Sequence, residues 1–105
     1  MAWLLLFIAG LLEVSWASVL PSTQGLTKPG PTAAFLVLLA GSMYLLAKAT
    51  ETIPLGTAYV VWTGIGAVGA ASVGMLRGEP ATALRIAFLA IIVVGIVGLQ
   101  STSNT

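Results

Sequence analysis

Residues 2–20 read AWLLLFIAGLLEVSWASVL, an apolar stretch broken by one charge, the carboxylate of Glu13. An α-helix needs about 20 mostly apolar residues to cross roughly 30 Å of hydrocarbon. A cleavable leader opens on basic residues and keeps charge out of its apolar run. Met1-Ala2-Trp3 contains no Lys or Arg, and Glu13 interrupts the run, so a mature membrane helix is expected here. Working outward, three more segments have the same character, at about 32–49, 55–76 and 81–99. Pro21, Pro29-Gly30-Pro31, Pro54 and Gly78-Glu79-Pro80 fall between the segments, where helix breakers belong. None alternates with period two, as the strands of a membrane barrel do. The fold class expected is therefore an all-α integral membrane protein, with four transmembrane helices (about 2–20, 32–49, 55–76 and 81–99) in one domain over 1–105.

Composition points to the same solvent. Charged residues make up 7% of the chain and hydrophobic ones 58%, with a mean hydropathy of +1.07. A soluble domain carries about 25% charged residues. Lys28, Lys48, Arg77 and Arg85 with Glu13, Glu51 and Glu79 cannot clothe a water-facing globule. With no Cys and no His, disulfides, imidazole bases and the usual zinc sites are excluded. The acids are too scattered for a carboxylate metal site, so neither metal nor cofactor is expected. No basic cluster suggests nucleic acid. Neither a nucleophile–base pair nor a nucleotide loop suggests an enzyme or an ATP-driven pump.

The N-terminus, second loop and C-terminus share one side of such a bundle and carry Lys48. The first and third loops face the other with Lys28 and Arg77, and Arg85 lies just inside the fourth helix. Basic loops stay cytoplasmic, but so slight a bias suits a chain that inserts both ways round. Four short helices hardly enclose a pathway, and secondary transporters commonly use two inverted halves around a midplane site. A chain this small builds both halves by dimerising, and two oppositely inserted copies sit antiparallel.

Glu13 carries the chemistry, because ionisable residues at membrane depth are costly and by default functional. Leu6, Ala9, Gly10, Trp16, Ala17 and Leu20 share its helix face at helical spacing. Ala and Gly there admit a close neighbour helix, and Trp16 offers an N–H donor and an aromatic wall for a cation. On the third helix Tyr59, Trp62, Thr63, Gly66 and Ala70 form a stripe. Its polar-tipped aromatics need partners in lipid, and the Glu13 carboxylate is the expected one; packing is the other reading. Ser42 bonds either the acid or its own helix backbone. Gly64-Ile65-Gly66-Ala67-Val68-Gly69 permits close packing or bending, and Gly95-Ile96-Val97-Gly98 reads as a dimer surface. A buried acid with aromatic walls and hydroxyls suits an organic cation. The acid holds a proton or the cation, and that competition is the working principle of an antiporter.

These residues resemble a known family. Met1-Ala2-Trp3, Ala9-Gly10-Leu11-Leu12-Glu13-Val14 with Trp16, Ile53-Pro54-Leu55-Gly56-Thr57-Ala58-Tyr59, Val61 through Ala70, Gly78-Glu79-Pro80, Leu84-Arg85 and Gly95 through Leu99 are similar to the small multidrug resistance transporters. Trp16 and the Trp62-Thr63-Gly64-Ile65-Gly66 run resemble their guanidinium-exporter subtype. The resemblance implies an antiparallel homodimer in the bacterial inner membrane, surrounded by lipid, exchanging guanidinium for protons. It makes Glu13 the shared proton and substrate site, and Trp16, Ser42, Tyr59 and Trp62 the groups that hydrogen-bond and orient it. Gly10 matches the small residue packed beside the acid. Alternatives in the same class are a multidrug exporter of quaternary ammonium and other hydrophobic cations, or one subunit of a heterodimeric transporter. A non-transporting packing subunit is the rival from another class. Two departures stand out. Pro21 replaces a usual Lys, and the stretch 74–80 is about one residue short, with Arg77 where apolar residues are usual.

Overall fold

The structure is a computed structural model and describes residues 1–102, the side chain of Gln100 excepted. Among these residues the chain forms four α-helices, α1 (Ala2–Val19), α2 (Pro29–Ala49), α3 (Leu55–Leu76) and α4 (Ala83–Thr102). The spans Ala2–Thr23, Pro29–Ala49 and Leu55–Leu76 are long and apolar enough to cross a membrane, while the apolar part of α4, Ala83–Leu99, is shorter. At 1.5 Å per residue that part still covers about 25 Å, the low end of what a span requires.

The helix ends follow proline and cap chemistry, and here the expected boundaries need correction. Pro21 supplies no N–H and its ring crowds the preceding turn, so regular α-helix stops at Val19 and a 3₁₀ turn continues over Leu20–Thr23. The buried Thr23 holds the loop: its Oγ1 donates to the Leu20 carbonyl at 2.7 Å and accepts from the Leu26 N–H at 3.1 Å. The second helix begins at Pro29 rather than 32. First-turn N–H groups have no intrahelical acceptor, so Pro29 and Pro31 cost nothing there. The fourth begins at Ala83 rather than 81, because the Thr82 hydroxyl caps it by accepting from the Arg85 N–H at 3.2 Å.

Contacts fix the arrangement. Ala9 meets Ser42 and Trp16 meets Phe35, so α1 and α2 run antiparallel. Gly10 meets Ile65 and Val14 meets Gly69, so α3 runs parallel to α1. Helix α1 packs on both α2 and α3, and α4 lies along α3. The best-packed cluster, Leu6, Ala9, Leu46, Ala49, Ile53, Ala58, Val61 and Trp62, sits toward the end that carries the N-terminus and second loop. Large apolar side chains such as Leu36, Val37, Tyr44, Ile91 and Val94 point outward. Such a surface needs a nonaqueous surrounding, and in lipid, close packing and interhelical hydrogen bonds hold the helices together.

Candidate functional site

Glu13 lies near the middle of the span Ala2–Thr23, on the α1 face turned to α3. Its carboxyl rests directly on the backbone of Gly66: a Cβ at Gly66 would collide with Oε1 and Cδ, and would come within 2.8 Å of Cγ. Only glycine leaves that seat open. Two neighbouring glycines set the same spacing. Gly10 receives Ile65, and Gly69 receives Val14. Gly64 likewise receives Ile96 of α4. The glycine-rich run of α3 thus serves as close-contact surface toward both α1 and α4.

The hydrogen bonds differ from expectation. Trp62 Nε1 donates to Ser42 Oγ at 3.0 Å, and Ser42 Oγ donates to the Ala9 carbonyl at 2.7 Å. Neither group bonds the Glu13 carboxylate, and Ser42 does not bond its own helix. A hydroxyl both donates and accepts, so Ser42 bridges α3 to α1 at full burial. The carbonyl it reaches is the one that α-helical pairing assigns to the N–H of Glu13. The relay therefore grips the backbone beneath the acid rather than the acid itself. Removing the Ser42 hydroxyl leaves the indole N–H of Trp62, a residue only 7% exposed, without an acceptor. Ser42→Ala is expected to cost about 1–2 kcal/mol, read as a lower thermal midpoint in detergent.

Tyr59 is 54% exposed and stands at the rim, its ring 5.7 Å from that of Trp62 and tilted by 42°. Trp16 packs edge-on against Phe35 at 5.7 Å and 81°. Phe35 was not singled out from sequence, although it lies two turns from Ser42 on the same α2 face. Among the described residues, three buried side-chain atoms have no hydrogen-bond partner: Glu13 Oε1, Trp16 Nε1 and Thr32 Oγ1. The first two belong to one face of α1, an acceptor and a donor a single turn apart. One turn beyond Glu13 and Gly66, at Ala17 and Ala70, begins a cavity of about 320 Å³ that extends to Arg77 and Glu79.

Fold and site together define a small multi-pass membrane protein built around one intramembrane carboxyl. The sequence profile of the Small Multidrug Resistance protein family matches residues 1–92. The guanidinium exporter of Escherichia coli (strain K12) is 50% identical over 105 residues, spanning 99% of this chain and 100% of its own. That of Yersinia pestis is 51% identical over 104 residues, 98% of this chain and 100% of its own. That of Salmonella typhimurium (strain LT2) is 48% identical over 105 residues, with 99% and 100% covered. The chain belongs to the Small Multidrug Resistance protein family.

Proposed function

We propose that two antiparallel copies of this chain form a proton-coupled antiporter in the bacterial inner membrane, exporting guanidinium and small guanidinyl cations. One observation carries the reading: a carboxyl oxygen of Glu13 is buried at mid-span with no donor from the protein, and one helical turn along α1 the indole N–H of Trp16 is equally without a partner. A buried carboxylate without a donor is expensive, so the site favours any state in which Glu13 gains a proton or a cation. Guanidinium answers with a planar fork of N–H donors that pairs both carboxylate oxygens, and the ring of Trp16 offers its face to a flat cation. Proton and cation use the same oxygens and exclude one another, which couples their fluxes. The names of the relatives support this substrate.

Two copies supply what one lacks. Four short helices provide half a pathway, and an inverted second copy completes it around a midplane site. Gly95 and Gly98 on α4 have open space above them. In lipid such small-residue surfaces let helices associate closely, so α4 is the contact between copies, and Glu13 of each chain faces the shared cavity.

The test is substrate-evoked current in proteoliposomes holding this chain alone, with guanidinium set against tetraphenylphosphonium. Guanidinium is expected to drive a current and the bulky aromatic cation little. A larger tetraphenylphosphonium current would favour the multidrug reading. Silence with guanidinium from folded protein would remove the homodimeric exporter and point to a second chain.

A further inference from the structure

The end of the bundle bearing the first and third loops is held differently from the rest. The apolar cluster lies toward the other end. At the loop-one and loop-three end, α1 and α3 flank the cavity of about 320 Å³, with Ala17 and Pro21 on one wall and Ala70 and Gly74 on the other. On α1 that wall continues the face of Glu13, and on α3 the face of Gly66, at four-residue spacing. The cavity therefore leads along small residues from the loops toward the acid. One side chain spans it. Arg77, which ends α3, donates from Nη1 to the Ser18 carbonyl in the last turn of α1 at 2.8 Å. That carbonyl lies at the negative end of the α1 dipole, a favourable place for a cation. Glu79, in the same cavity wall, rests on Gly74 and pairs with Arg85 at 3.5 Å, which leaves Arg77 to α1.

We propose that Arg77 is a gate-positioning residue: its bond to Ser18 latches α1 to α3, and the latch opens whenever Glu13 gains access to that side. The proposal rests on the antiparallel homodimer and adds a kinetic consequence. In such a dimer each face of the membrane receives the latched end of one copy. Opening one face breaks that copy's latch, and closing the opposite face makes the other's. The inward-open and outward-open states then hold the same number of latches. Their equilibrium does not depend on Arg77, whereas the barrier between them does.

The experiment is exchange NMR on the full chain in lipid bicelles, comparing the parent with Arg77→Leu and Arg77→Lys. The parent is expected to give two sets of amide signals, one for each copy of an asymmetric dimer, in slow exchange. Arg77→Leu is expected to speed the exchange about five-fold, the rate equivalent of ~1 kcal/mol for one exposed charge-assisted hydrogen bond, with the two populations still equal. Arg77→Lys, which keeps a charged donor, is expected to fall between. Two sets of signals exchanging at the same rate in all three proteins would overturn the latch and leave the dimer standing. A single set in the parent that does not split on cooling would overturn the asymmetric dimer and the latch with it.

Discussion

Replacing Glu13 by Gln is expected to abolish guanidinium-evoked current in proteoliposomes while leaving the protein inserted and folded. The two side chains have nearly the same shape, so the seat on Gly66 stays filled. What disappears is the charge. A guanidinium paired to a carboxylate gains two charge-assisted hydrogen bonds, each worth about 1.5–3 kcal/mol. Losing them weakens binding by at least about a hundred-fold. Loss of the titratable proton is more complete still, since an amide cannot carry one between faces and no coupling remains. The thermal midpoint in detergent should hold or rise, because an uncharged group at mid-span is cheaper to bury. Two controls sharpen the result. Guanidinium added to weakly buffered parent protein should release protons, and Glu13→Gln should release none. Glu13→Asp keeps the charge but draws it back toward α1, and should retain a reduced current. A full current from Glu13→Gln would mean that the cation is bound elsewhere.

How much of this was legible in the sequence varies with the kind of interaction. The spans could be read because hydrophobicity and length are summed over some twenty residues, and no single position decides them. Their ends were read less well. Pro29 to Pro31 look like a loop by their breaker character, yet the first turn of α2 tolerates proline because its N–H groups have no acceptor to lose. Glu13 stood out as the one charge in its span. Its surroundings did not. Whether Trp62 reaches Glu13 or Ser42 depends on how α1, α2 and α3 cross, a shift of a few ångströms that helical spacing within one segment does not encode. Ser42 was legible as a hydroxyl in search of a partner, but the choice between its own helix, the acid and a neighbouring backbone is made by packing. The Arg77 bond to Ser18 joins residues fifty-nine positions apart. Its only sequence signal was a charge standing where apolar residues are usual.

The sharpest test of the Glu13 seat is Gly66→Ala, for which propensity and packing point in opposite directions. In a helix interior Ala is more favourable than Gly by about 1 kcal/mol, so by propensity alone the variant should be the more stable protein. Packing opposes this at one place: the new methyl occupies the position of the Glu13 carboxyl. That carboxyl is the far end of a flexible side chain, so it is expected to move aside rather than force the helices apart. The outcome expected is a folded protein with an unchanged or higher thermal midpoint and a guanidinium current reduced about ten-fold or more, since an ångström of misplacement costs a bound group much of its pairing geometry. Gly10→Ala supplies the contrast. Its methyl would lie 2.6 Å from Cγ2 and 2.8 Å from Cβ of Ile65, atoms close to the α3 backbone that cannot swing away. Overpacking of that kind costs about 1–3 kcal/mol, so Gly10→Ala should lower the midpoint. If Gly66→Ala instead transports at the parental rate, Glu13 must work from a position away from Gly66. If it melts early like Gly10→Ala, the glycine serves helix contact and the carboxyl has no fixed seat there.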